Sequence, residues 1–145
     1  MARIEESVEI KRPIDKVFAY VTDAKCWPKW HSTMLEAEQT SPGQMGVGTT
    51  LRGANRVIGQ RMDWTSKVTE YELNKKWAEN IISGSTQIEE HLTFDPVEGG
   101  TKFTIVREMT VGGFVKLFSP MVVSTMRKQT KENLSNLKGI LEAQT

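Results

Sequence analysis

The most constraining feature of this sequence is a series of short segments between residues 33 and 111 in which apolar and polar residues alternate, separated by turns rich in Gly, Pro, Asn and Ser. Alternation with a period of two is typical of half-buried strands, and short turns connect antiparallel neighbours. The DPVEGG segment at 95–100 predicts a hairpin connection, because its glycines accept positive φ freely. The pattern predicts an antiparallel meander of six strands, at about 33–39, 48–58, 61–73, 77–83, 87–95 and 101–111.

The first thirty residues predict one more strand and two short helices. Residues 2–11 alternate, with Ile4, Val8 and Ile10 on one face, and Glu6 also has the parity of that apolar face. Pro13 suits the first turn of a helix. The helix is indicated by apolar residues at helical spacing, namely Ile14, Val17, Phe18 and Val21. The segment 24–31 predicts a second short helix or turn, with Pro28 near one of its ends.

The C-terminal part, 114–142, predicts a long amphipathic helix. Ser119 and Pro120 are typical of an N-cap followed by proline at the first helical position. A helix of about 20 residues is about 30 Å long and can lie across a curved antiparallel sheet. Its predicted inner stripe consists of Val122, Met126, Thr130, Asn133, Leu137, Ile140 and Leu141. We therefore expect an α+β fold with about seven strands around this helix, and a cavity where the helix does not fill the sheet's curve.

Composition limits the function more than it defines it. A length of 145 residues with 26% charged residues fits one globular domain, residues 1–145. The net charge of +1 does not favour a nucleic-acid partner, and no apolar run is long enough for stable membrane insertion. Cys26 is the only cysteine, so an internal disulfide is impossible, and with no signal-peptide pattern we expect a cytoplasmic protein. We also expect a monomer or a weak dimer.

Four stretches resemble a known superfamily and together cover nearly the whole chain. They are IKRPIDKVFAYVTDAKCWPKWH (10–31), DWTSKVTEYELNKKWA (63–78), LTFDPVEGGTKFTI (92–105) and NLSNLKGILE (133–142). The chain is similar in these stretches to the START-like (SRPBCC) superfamily with the helix-grip fold, and within it to the polyketide cyclase/dehydrase and lipid-transport proteins. The resemblance implies a cavity between helix and sheet that holds a small hydrophobic molecule. It also implies that the first strand neighbours the last, which would bring Glu6 towards the final hairpin.

The register of the final hairpin predicts an acid and a base on the inward face. If Phe94 pairs with Phe103, then Leu92 meets Ile105, Ile88 meets Met109 and Glu90 meets Arg107. Glu90 and Arg107 would then form a polar anchor for a ligand carbonyl, hydroxyl or carboxylate. The alternative is a structural ion pair at the rim of the sheet, since a register shift of one residue reverses every side chain.

Twelve residues make up the predicted ligand-binding set: Trp30, Trp64, Glu90, Leu92, Phe94, Phe103, Ile105, Arg107, Met109, Phe118, Val122 and Met126. His31 is a candidate general acid or base, whereas the parity of His91 points it outward. No spacing of His, Cys, Asp or Glu resembles a metal site, and we expect neither a metal nor a cofactor.

Three functions are compatible with these features. The first is a carrier or sequestering protein for a lipid, isoprenoid or polyketide-like molecule. The second is a cyclase or dehydratase that uses Glu90 and Arg107 in the cavity, although no residue matches an established catalytic motif. The third is a protein-interaction module on the same fold, which an exposed apolar patch or a stable partner would favour.

Overall fold

A computed structural model describes residues 2–57, 59–111 and 120–144. The elements follow the predicted order, with a short 3₁₀ turn at Ala24–Cys26 between the first two helices. The strands are β1 (Ala2–Ile10), β2 (Met34–Gln39), β3 (Thr50–Val57), β4 (Gln60–Glu72), β5 (Lys76–Ser83), β6 (Thr86–Val97) and β7 (Gly100–Val111), and the helices are α1 (Ile14–Val21), α2 (Trp27–Trp30) and α3 (Pro120–Ala143). Residues 112–119, which include the first part of the helical segment predicted from 114 and its N-cap candidate Ser119, lie outside the described residues.

The strands form one seven-stranded antiparallel sheet with the order β1-β7-β6-β5-β4-β3-β2. The α+β helix-grip prediction is confirmed, including the pairing of the first strand with the last. The β6–β7 hairpin is tighter than expected, because Val97 pairs with Gly100 and the turn contains only residues 98 and 99. Gly99 has φ +83°, a conformation that residues with a side chain rarely adopt.

One end of the interior is an aromatic core, formed by Phe18, Trp30, Phe94 and Phe103. The rings of Phe94 and Phe103 stack with centroids 5.0 Å apart, and Phe18 meets Phe94 edge-on at 4.9 Å. Trp30 of α2 packs edge-on against Phe103 at 6.3 Å. The four side chains are almost fully buried, so close packing of large rings stabilises this end of the sheet.

Helix α3 packs against β1 and α2, and it is buried unevenly along its length. Its buried residues all lie between Thr130 and Leu141: Thr130, Asn133, Leu134, Leu137 and Leu141. The predicted stripe is correct from Thr130 onward but omits Leu134. At the other end Val122 is 39% exposed and Met126 is half-buried, so the described first half of the helix is not covered by the sheet as closely as the second.

Candidate functional site

The predicted acid–base pair lies on the inner face of the sheet. Glu90 on β6 and Arg107 on β7 are direct cross-strand partners, and Arg107 Nε donates to Glu90 Oε2 over 2.5 Å. The side chain of Glu90 is 8% exposed and that of Arg107 is 19% exposed. Arg107 Nη1 also lies 3.4 Å from the hydroxyl of Thr130 on α3. The predicted register is therefore confirmed, and the pair faces the helix instead of the outer rim.

A second carboxyl group, which sequence reasoning missed, faces the same pair. Glu79 on β5 lies directly opposite Glu90 and is almost fully buried. The signal was present in the sequence: the turn at 84–85 pairs Ser83 with Thr86, which places residue 79 opposite residue 90. Glu79 also has the parity of buried Trp77, a residue whose role the sequence had not revealed. Two carboxyl groups thus share one guanidinium group in the interior.

Burial and the charge on Glu90 raise the pKa of Glu79 well above its usual value, and the nearby Ser66 hydroxyl opposes this shift only in part. Burial also pushes up the pKa of Glu90, but Arg107 and the hydrogen-bonding contribution of Glu79 hold it below its ordinary value. The proton shared by such a close pair therefore resides on Glu79, and Glu90 is the carboxylate.

His31, at the C-terminal end of α2, points into the same group of residues. Its ring lies edge-on to Trp30 with centroids 3.8 Å apart. Burial and the positive charge of Arg107 lower the pKa of His31 to about 3, against a weaker opposing effect of Glu90. The imidazole is therefore neutral at physiological pH, and it is a potential hydrogen-bonding group without a charge.

Six residues from five elements and the α2–β2 connection make up what we call the polar layer: His31, Ser66, Glu79, Glu90, Arg107 and Thr130. Seven buried side-chain atoms in the described part of the chain have no hydrogen-bond partner of good geometry, and three of them lie in this layer: His31 Nε2, Ser66 Oγ and Glu79 Oε1. Ser66 is close enough to Glu79 to influence its pKa, but the two side chains do not form a well-aligned hydrogen bond. Buried polar atoms in folded proteins almost always have a partner, either in the protein or in a bound molecule. Three unpartnered atoms in one layer therefore indicate a place where a further molecule can bind.

The polar layer is bordered on the side away from the aromatic core by a second apolar cluster, which we call the methionine wall. Ala2, Ile4 and Met109 are buried there, and Ile88, Val123 and Met126 pack against them half-buried. Ile88 and Met109 are opposite each other, as predicted. Met109 and Met126 from the predicted ligand-binding set lie in this wall, whereas Phe118 lies outside the described residues.

The other members of the predicted set lie elsewhere in the interior. Trp30, Leu92, Phe94, Phe103 and Ile105 belong to the large buried core, and their contact with a ligand stays a prediction. Trp64 is half-buried and lies over the β3–β4 region, where its indole N–H donates to Asn55 Oδ1 over 2.8 Å.

Glu6 faces α3, and its described ion pairs are with helix residues instead of the Glu90–Arg107 pair. Glu6 Oε1 lies 3.9 Å from both Arg127 Nε and Lys131 Nζ. On the neighbouring β7 it is opposite Ile105. Glu6 therefore contributes a carboxylate beside the polar layer, and the two partly exposed bases that face it leave one surplus positive charge towards the solvent.

Two open depressions, of about 570 and 530 Å³, lie over β3, β4 and β5. Their walls come largely from residues on the outer face of the sheet, opposite in parity to the polar layer, such as Arg52, Thr65 and Ile82.

Among the described residues no group of three or more His, Cys, Asp or Glu side chains is arranged to hold a metal ion. None of the described helices is both long enough and apolar enough to cross a bilayer.

The sheet wrapped around a long C-terminal helix, with a polar layer between them, defines a helix-grip protein. The chain belongs to the polyketide cyclase/dehydrase and lipid transport family, whose model matches residues 1–142. A START superfamily protein from Mycobacterium smegmatis is similar in structure, with a TM-score of 0.84, 16% identity, and 99% of each chain covered.

Two further solved structures share the fold. The Zhui aromatase/cyclase from Streptomyces sp. R1128 aligns with a TM-score of 0.79 and 14% identity, over 97% of this chain and 93% of the other. Ara h 8.0201 aligns with a TM-score of 0.76 and 15% identity, over 98% of both chains. At this level of identity the likeness establishes the fold alone. The ligand and the chemistry have to be inferred from the residues of the site.

Proposed function

We propose that the protein binds one small hydrophobic or amphipathic molecule between the sheet and α3, as a carrier or sequestering protein. The observation that carries this proposal is the polar layer, in which His31 Nε2, Ser66 Oγ and Glu79 Oε1 are buried without partners beside an apolar wall. A ligand with an apolar body and one polar end would cover the wall and satisfy these atoms. The lipid-transport part of the family description supports the same class of ligand.

The methionine wall is suited to the apolar part of such a ligand. Thioether side chains are flexible and adapt to different shapes, and Met126 is only half-buried on the first half of α3. The second half of the helix is held by specific contacts, because Asn133 Oδ1 accepts a hydrogen bond from the Ser32 backbone N–H over 3.0 Å. We propose that the whole chain acts as one binding unit, with α3 anchored at its C-terminal end.

The test is to purify the protein from its host, extract it with solvent and identify bound molecules by native mass spectrometry, and then to titrate the stripped protein with the uncharged apolar dye Nile red. We expect a stoichiometric adduct and a saturable rise in dye fluorescence. Met126→Trp should weaken dye binding by filling the wall, whereas Leu73→Trp, at an exposed turn, should not. A protein that carries no adduct and takes up no dye would contradict the proposal.

A second candidate, an acid–base enzyme of the cyclase or dehydratase type, is favoured by one observation: a protonated Glu79 stands opposite the carboxylate of Glu90. A buried proton donor beside a base can serve proton transfer in a bound substrate. Glu90 is ionised and therefore fits the role of the base, whereas Glu79 is protonated and fits the role of the acid. If the extracted molecule loses water on incubation with the protein, Glu79→Gln should abolish that loss, and Glu89→Gln on the outer face should not.

A further inference from the structure

We propose that the polar layer selects an uncharged ligand, whose polar end is a hydroxyl, ketone or phenol group, against fatty acids and other anions. This inference rests on the proposed binding function and specifies its ligand class. It is carried by the arrangement of charged groups on the inner face of the sheet, together with the unpartnered atoms of the layer.

The count of charges on the inner face leaves no positive group for an anion. Glu79 and Glu90 are cross-strand neighbours, and Glu90 is hydrogen-bonded to Arg107. With Glu79 protonated the three groups sum to zero, and with Glu79 ionised they sum to −1. In either state a ligand carboxylate would meet a buried carboxyl pair, and no spare cation would offset the loss of its hydration.

The remaining charged groups that face this region do not change the result. Arg127 and Lys131 lie 3.9 Å from Glu6 and together carry one positive charge more than it neutralises, but their side chains are 45% and 63% exposed, so this charge lies in water at the surface and not in the polar layer. The imidazole of His31 is neutral because of its burial and the nearby Arg107. The layer therefore holds one balanced ion pair and no free positive charge among the described residues.

The unpartnered atoms are of the kind that a neutral polar group can satisfy. Glu79 Oε1 and Ser66 Oγ are oxygens, and His31 Nε2 is a ring nitrogen that accepts or donates according to its tautomer. A hydroxyl group can donate to one of these atoms and accept from another. A ketone can accept a hydrogen bond without bringing a charge into the interior. Neutral hydrogen bonds thus replace the missing partners at no cost in buried charge.

The experiment compares decan-1-ol, decan-2-one and decanoate as competitors of Nile red at neutral pH, and measures the concentration of each that displaces half of the dye. The wild type should be displaced by the alcohol and the ketone at lower concentrations than by decanoate. The greater water solubility of decanoate contributes to that order, so the decisive quantity is the change of the decanol-to-decanoate ratio between variants.

Glu79→Gln/Glu90→Gln keeps the shape of both side chains but leaves Arg107 without a counter-charge. In this variant the ratio should shift towards decanoate by about tenfold or more, since a hydrogen bond to a charged group contributes about 1.5–3 kcal/mol. The matched control Glu89→Gln removes a carboxylate from the exposed outer face and should retain the wild-type ratio.

Decanoate that displaces the dye from the wild type as well as decan-1-ol does would overturn the charge-selection inference while leaving the binding function intact. An unchanged ratio in a double variant with native circular dichroism and bound dye would overturn it as well. Failure of the wild type to bind dye, alcohol, ketone or decanoate would reject the binding function, and the inference with it. If the double variant does not fold, the wild-type comparison can still overturn the inference, because equal displacement by decanoate and decan-1-ol contradicts it.

Discussion

The aromatic core and the polar layer are built by the same two strands, only four residues apart, and yet they differ in every physical respect. Phe94 and Phe103 stack at one level of the β6–β7 hairpin, and Glu90 and Arg107 pair at another level on the same face. The aromatic core packs ring against ring and leaves one buried polar atom, Trp30 Nε1, without a partner, whereas the polar layer has three such atoms. The comparison teaches that one inward face can contain both a stabilising region and a region kept for a ligand.

The energetic consequences of the two regions also differ. Burying apolar surface contributes about 25 cal/mol per Å², so the rings of the aromatic core stabilise the fold directly. Burying charges costs free energy unless their pairing is nearly ideal, so a buried ion pair is weak evidence of a structural role. We expect the aromatic core to respond to changes of volume and the polar layer to respond to changes of charge and pH.

The largest effect should come from Phe103→Ala. Removing a ring that is fully buried and stacked on Phe94 should lower the free energy of unfolding by about 3–5 kcal/mol, through lost transfer energy and a new cavity. Chemical denaturation followed by circular dichroism measures the change. A loss below about 1 kcal/mol would mean that this end is not tightly packed, and the contrast between the two regions would fail.

Arg107→Met should destabilise the protein by about 3 kcal/mol, because it leaves the buried Glu90 without its partner. The double variant Glu90→Gln/Arg107→Met removes both charges and should recover most of that loss, which a double-mutant cycle of denaturation midpoints would measure. Equal destabilisation by the single and the double variant would indicate that Arg107 acts through packing and not through charge.

The pH dependence of stability should separate the two buried titrating groups. Glu79 has a raised pKa, so its contribution is lost as pH rises, whereas His31, with a pKa of about 3 against 6.5, contributes stability that is lost as pH falls below 6.5. Between 4.5 and 6.5 the two effects oppose each other. Glu79 by itself lowers stability with rising pH, from 4.5 up to its raised pKa, by up to about 1.4 kcal/mol per pH unit.

The decline with rising pH is assigned to Glu79 by substitution. Glu79→Gln should abolish it in a series of urea denaturations at different pH values, because the amide cannot ionise. Glu89→Gln, exposed on the same sheet, should leave the profile unchanged. A Glu79→Gln variant whose pH profile matches that of the wild type above 4.5 would contradict the burial of an acidic proton in the polar layer.

The smallest effect should come from Asn133→Ala, which removes the acceptor of the Ser32 backbone N–H. A loss of about 1 kcal/mol is expected from one hydrogen bond, with the aromatic core unaffected. Hydrogen exchange at the Ser32 amide should accelerate together with that of α3. If exchange in α3 does not change, the helix is held by its apolar residues alone and not by this contact.

The hairpin register was predictable because one short turn determines every pair that follows it. Choosing Phe94 opposite Phe103 was sufficient to place Glu90 opposite Arg107, and the same reasoning applied to the turn at 84–85 would have placed Glu79 opposite Glu90. His31 could not be placed in this way. Its approach to Arg107 depends on how α2 packs against the sheet, and no spacing in the sequence encodes that packing.

By itself, the sequence determined the order of the elements, the inward parity of each strand and the final hairpin pairing, because these depend on residue periodicity and turn chemistry within short distances along the chain. Only the tertiary structure decided that His31 and Thr130 join Glu90 and Arg107 in one polar layer. Ser32 and Asn133, in contact although 101 residues apart, illustrate the same limit. The physical reason is that burial and shared electrostatics, which set the pKa values and leave atoms without partners, exist only once the curved sheet and the helices enclose the interior.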